Sequence, residues 1–128
     1  MITIIGGVYQ GKLDYVIERF GVAEEDVYRC EGAGIAMPKG RVCYEVDKWI
    51  LALVQDGQER GDIDGAVEGF IASNPEAIVI CNDIFCGVVP IDPALRAWRE
   101  AVGRAMVIIN KQAEEVVRVF CGIPTRLK

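Results

Sequence analysis

A chain of 128 residues with 52% hydrophobic and 26% charged side chains is long enough to bury a real core and too apolar to be disordered. Its net charge of −5, with no basic stripe, argues against a nucleic-acid or anionic-membrane surface, although phosphate ligands can still be held by local N–H groups. Histidine is absent, which removes the usual general base and every His-dependent covalent mechanism, and no zinc site can be completed with imidazole.

The five cysteines are scattered and form no Cys-x-x-Cys pair, so most are expected to be reduced and buried as small hydrophobes. The start carries no basic segment or small-residue cleavage site, and no apolar run reaches membrane-spanning length. These features predict a cytoplasmic, soluble protein with one domain over residues 1–128.

Ile2-Thr3-Ile4-Ile5 predicts a strand running into Gly6-Gly7-Val8-Tyr9-Gln10-Gly11-Lys12-Leu13. Gly6, Gly11 and Lys12 fit the phosphate-binding loop pattern of Gly, any four residues, Gly, Lys, then Ser or Thr. Glycines there let backbone N–H groups curl around a phosphate, the following helix offers unpaired N–H groups, and the lysine adds a full charge. Leu13 breaks the pattern, because its position ordinarily brings a hydroxyl to Mg²⁺. The plainer reading is a tight strand-to-helix turn with Lys12 in water. The setting between a buried-looking strand and a helical pattern favours the phosphate loop.

Leu13, Val16, Ile17 and Phe20 make one stripe of an amphipathic helix that Gly21 stops. Asp26–Cys30 predicts a second strand, and Glu31–Arg41 an irregular loop that either borders a ligand site or simply connects. Val42-Cys43-Tyr44 reads as a strand or as a helix start. From Glu45, the residues Trp49, Ile50, Leu53 and Val54 give a helical face ended by Asp56-Gly57. After a polar break over Gln58–Gly61, Asp62 is the expected N-cap of a helix with Ile63, Ala66, Val67, Phe70 and Ile71 on its buried side, stopped by Asn74-Pro75.

Ala77–Cys81 is apolar without alternation, as a central parallel strand covered on both faces would be. Asn82 and Asp83 then stand at the strand's C-terminal edge, where open α/β sheets place ligands. Asp83 is a candidate acid for holding Mg²⁺ through water, or else an ordinary turn carboxylate. Cys86–Pro90 is a loop, Asp92 caps and Pro93 opens the longest helix, and Leu95, Trp98, Val102, Met106 and Ile109 form its expected buried stripe. Arg96, Arg99, Glu100, Arg104 and Lys111 fall largely on the other side, as a solvated face or as a source of one phosphate contact. Val116–Phe120 predicts a strand, Gly122 a turn, and Pro124–Lys128 an edge strand. The order of elements predicts an α/β fold with a mostly parallel sheet. The Gly6–Lys12 loop and the Asn82–Asp83 tip should meet at one sheet edge.

The run from Ala77 to Pro90, the long helix with Arg96 and Gly103-Arg104, and the ending from Glu115 to Lys128 resemble a known family, as does the N-terminal Gly-Gly loop. It is the bifunctional adenosylcobinamide kinase/adenosylcobinamide-phosphate guanylyltransferase family. The family pattern is an apolar strand, Thr/Ser-Asn-Glu, Val-Gly-x-Gly-Val/Ile-Val-Pro, a long helix and a closing strand with Ser/Cys-Gly-Ile/Leu-Pro. The resemblance implies a P-loop NTPase-like three-layer sandwich with an antiparallel C-terminal edge strand, a place in cobalamin assembly, and a homo-oligomer, usually a trimer. It further implies ATP or GTP with Mg²⁺ as cofactors, and cobinamide or a related alcohol as acceptor. By position, Gly6, Gly7, Gln10, Gly11, Lys12 and Leu13 would surround the triphosphate, and Asn82, Asp83, Gly87 and Pro90 would line the same pocket. Lys12, Asp83 and Glu45 would be the catalytic residues and Asp83 the metal-binding one, with Glu45 standing for the acid at the end of the middle strand.

The departures are specific. The family's guanylyl transfer passes through a covalent His, and this chain has none. Leu13 replaces Ser or Thr, Asp83 replaces Glu, and Met106-Val107 replaces Asn-Gln in the long helix. Two functions therefore compete: a nucleotide-dependent kinase without guanylyl transfer, and a non-catalytic relative that binds a nucleotide or corrinoid or serves in assembly.

Overall fold

The computed structural model describes residues 1–128. Six strands form one sheet: β1 (Ile2–Gly6), β2 (Val27–Arg29), β3 (Val42–Tyr44), β4 (Ile78–Asn82), β5 (Glu115–Phe120) and β6 (Ile123–Arg126). Four helices accompany them: α1 (Lys12–Phe20), α2 (Val46–Gln55), α3 (Arg60–Ser73) and α4 (Pro93–Gln112). The strand order is β2-β3-β4-β1-β5-β6, parallel throughout except for the antiparallel β5–β6 edge. None of the helices is long and apolar enough to cross a membrane.

The two-residue period of the strands divides the core between two faces. Ile5, Val79, Cys81 and Val116 join Trp49, Ile50, Leu53, Val67, Phe70, Val102, Met106 and Ile109 beneath α2, α3 and α4. On the opposite face Ile4, Ile78, Ile80, Val117 and Val119 close on Val16 of α1. Helices on both sides of a mostly parallel sheet make a P-loop-like three-layer α/β sandwich. Because the central strands are covered twice, β4 is buried at all five positions, which is why it shows no alternation in sequence.

Val42–Tyr44, open between two readings in the sequence, is a strand, and its parallel ladder to β4 places Tyr44 opposite Ile80. Two expectations are corrected. The N-cap of α3 is Glu59, and Asp62 is its third helical residue. The two carboxylates form a reciprocal capping box in which Asp62 accepts from the Glu59 N–H at 3.3 Å, so the helix starts earlier than a single cap at Asp62 would allow. Leu95 is exposed rather than buried, because the core beneath α4 begins with Trp98 and Ala101. The stripe thus starts a turn later, and Ala101 and Ala105, unremarkable in sequence, lie within the core.

Cys30, Cys43 and Cys81 are buried, as expected for most of the cysteines, whereas Cys86 and Cys121 are exposed, and all five are free. Burial pushes the Cys43 thiol up to about 12, so it is an inert core group.

Candidate phosphate-loop cleft

Parallel pairing brings the C-terminal ends of β1, β3 and β4 side by side, with Gly6 opposite Asn82. The segment from Gly7 to Gly11 leaves β1 there and turns into α1. Gly6 is required by packing: a Cβ on it would lie 2.3 Å from the Val119 carbonyl oxygen of β5. Gly11 is required by backbone, since it sits at φ 86 immediately before the helix. The first helical N–H groups have no carbonyl one turn behind them, and they point out of the helix N-terminus into this edge.

A cleft of about 280 Å³ opens here, lined by residues 8–14 with Tyr44, Glu45 and Asn82. The sequence-level candidates Gln10, Gly11, Lys12, Leu13, Glu45 and Asn82 are therefore brought together. Asp83 stands beside them: its N–H donates to the Gly6 carbonyl at 3.1 Å, and its Oδ1 would lie 3.8 Å from a Cβ on Gly7. Gly87 and Pro90 are not among the cleft-lining residues. Their loop is instead tied to α4, where Arg99 donates to the Gly87 and Phe85 carbonyls at 2.8 and 3.2 Å and Arg96 donates to the Ile91 carbonyl. Arg96 and Arg99 thus brace that loop from α4. Residues 31–41 also stay outside the cleft, with Trp49 donating to the Ile35 carbonyl at 3.2 Å and Asn74 to Pro38 at 3.2 Å.

Lys12 is only 5% exposed, and its ammonium donates to the Gly7 carbonyl across the loop at 2.6 Å. Burial holds its pKa below the ordinary 10.5, and the charges of Asp47, Asp83, Cys81 and Glu45 work in the opposite direction. A buried cation surrounded by carboxylates with a single carbonyl partner has donor capacity left for an anion.

Asp47 is the residue that sequence reasoning missed. It lies in the first turn of α2 with 0% exposure. Its Oδ1 accepts from the Asn82 backbone N–H at 3.0 Å, and its Oδ2 from the Asn82 side-chain amide at 3.1 Å. The same amide reaches Glu45 Oε1 at 3.5 Å. Trp98 of α4 donates to the Asp47 carbonyl at 2.8 Å and fixes the turn from behind. The available signal was an acid on the apolar side of α2, three residues before Ile50 and one turn before Leu51. Glu45 itself adopts the left-handed region at φ 60, as do Tyr9 (φ 60) and Cys121 (φ 50), and these are the chain's only non-glycine residues with positive φ. All three flank this edge, where such conformations cost about 1–3 kcal/mol each.

Leu13 contributes no oxygen where the loop pattern places a hydroxyl, and each Asp47 oxygen already accepts one hydrogen bond from Asn82. Glu45 and Asp83 remain the carboxylates near the loop.

No curated protein matches the chain. A family model described as cobinamide kinase / cobinamide phosphate guanyltransferase matches residues 43–127, from β3 through the end of β6, leaving the glycine loop and α1 outside the matched stretch. With that match covering well over half of its length, and a P-loop-like sandwich carrying it, the chain belongs to the cobinamide kinase / cobinamide phosphate guanyltransferase family of cobalamin biosynthesis.

Proposed function

We propose that the chain binds a nucleoside triphosphate, ATP or GTP, at the Gly6–Lys12 loop and acts as a kinase of cobinamide or a related alcohol, with guanylyl transfer lost. The observation that carries this is Lys12, a buried ammonium held at the mouth of α1 and facing the cleft that Glu45 and Asn82 line. Its charge and the helix N-terminal N–H groups would stabilise the transferring phosphoryl group, in a reaction where positioning and electrostatics supply most of the catalysis. Glu45 would face the acceptor hydroxyl, with Asn82 holding its carboxylate in place. The lack of any histidine removes the nucleophile of the family's covalent guanylyl intermediate.

Leu13 favours a second reading, a nucleotide-binding relative without catalysis. In either case nucleotide affinity should depend less on Mg²⁺ than in a phosphate loop with a hydroxyl at this position, since leucine supplies no ligand. Titration with ATP and GTP, with and without Mg²⁺, tests the reading on the unmodified protein, Lys12→Ala and Leu13→Ser. Lys12→Ala should weaken binding by about 1.5–3 kcal/mol, the worth of a charge-assisted phosphate contact. Leu13→Ser should gain Mg²⁺ dependence. An affinity that Lys12→Ala leaves unchanged would remove the phosphate-loop reading. Phosphorylation of cobinamide by the unmodified protein would decide for the kinase, and strong Mg²⁺-dependent turnover would overturn the role given to Leu13. Labelled GTP should leave no acid-labile covalent GMP.

A further inference from the structure

Gln10 does not behave as a free side chain reaching for a ligand. Its side-chain carbonyl accepts from the Cys121 N–H at 2.6 Å, and its main-chain carbonyl accepts from the Gly122 N–H at 2.9 Å. Both donors belong to the two-residue turn joining β5 to β6, in which Phe120 pairs with Ile123. Cys121 at φ 50 and Gly122 at φ 75 give that turn the left-handed pair of conformations favoured in tight hairpins, despite the cost for a cysteine. Two further approaches join the same elements. A Cβ on Gly11 would meet the Gly122 Cα at 3.6 Å, and one on Gly6 would collide with Val119 of β5. The loop therefore rests on the hairpin at its beginning, middle and end.

Resting on the phosphate-loop reading above, we propose that Gln10 is a positioning residue, and that the Cys121–Gly122 turn, through it, sets the loop's open shape. The physical need is clear. The segment of residues 7–11 is short, glycine-containing and carries the fully exposed Tyr9 at its middle, and an unbraced loop would have to be ordered at the expense of binding energy. Two turn N–H groups converging on one residue supply that order before any anion arrives. Gln10 thereby links the anion site to β6, whose four residues are all exposed and which pairs only with β5.

The test uses the whole chain, with ATP, GTP and inorganic tripolyphosphate as probes, and follows amide exchange at Cys121 and Gly122 in the unliganded protein. Gln10→Met keeps the length and removes the acceptor. It should weaken probe binding about fivefold, as loss of one hydrogen bond does, and speed exchange at Cys121 while leaving the global melting temperature nearly unchanged. Gln10→Glu keeps an acceptor and should retain the Cys121 protection. Weaker binding with unchanged exchange would make Gln10 a ligand and overturn the inference. Faster exchange with unchanged binding would overturn it too, since the hairpin would then not position the loop. Lys12→Ala, run alongside, separates the two levels. Binding lost there but kept in Gln10→Met refutes the brace alone, whereas binding unaffected in both refutes the phosphate loop itself and the brace with it.

Discussion

Asp47→Asn probes the buried polar centre of the cleft with almost no change of shape. The native carboxylate takes one hydrogen bond on each oxygen, both from Asn82, at 3.0 and 3.1 Å. Asparagine offers one oxygen and an amide that is itself a donor, so one of the two Asn82 donors must face another donor. Leaving that buried group unsatisfied costs about 1–3 kcal/mol, and the surviving bond loses its charge assistance, roughly another 1 kcal/mol. Lys12 also loses the carboxylate that counts most among the charges favouring its ammonium. Relief of the desolvation of one buried charge offsets part of this. The net expectation is a loss of about 2–4 kcal/mol, or roughly 10 °C in melting temperature for a chain of this size. Urea unfolding followed by tryptophan fluorescence is a suitable assay, because Trp98 bonds to the Asp47 carbonyl and reports on that turn. Nucleotide affinity should fall in parallel, since Asn82 and Lys12 both border the cleft. A stability change below about 0.5 kcal/mol would refute the claim that this carboxylate holds the C-terminal end of β4 in place.

Gly6→Ala should destabilise by about 1–3 kcal/mol or more and abolish nucleotide binding, because its methyl group meets the β5 backbone rather than a movable side chain; thermal melts and ligand titration check both. Arg19 of α1 pairs with Glu115 at the start of β5 and holds the Glu115 carboxyl below its usual 4.5. A depressed carboxyl stabilises the fold above its unfolded value and loses that contribution as pH falls through the folded one. Glu115→Gln should therefore cost about 0.5–1 kcal/mol near neutrality, the small figure fitting a pair this exposed, and the difference from the unmodified protein should vanish in acid. Urea curves at several pH values would show a constant difference if the ion pair contributes nothing.

Local pattern carried much of this molecule. Strand β1, the Gly–Lys loop, the stripe of α1 and the uninterrupted apolar run of β4 were legible because each is governed by neighbours within one or two turns of chain. The resemblance of the stretch from Ala77 onward to its family was likewise a matter of residues in order. What the tertiary structure decided is whatever depends on distant segments meeting. An aspartate two residues after Glu45 is an ordinary first-turn acid until β3 pairs with β4 and sets Asn82 against it, 35 residues away. Gln10 is one residue of a loop until a turn 111 positions later presents an N–H to it. The arginines of α4 have the spacing of a solvated face, yet the 84–91 segment folds back to offer them carbonyls. Periodicity records which side of an element is buried; it carries no information about which unpaired donor will arrive there, because a hydrogen bond is set by the geometry of two segments at once.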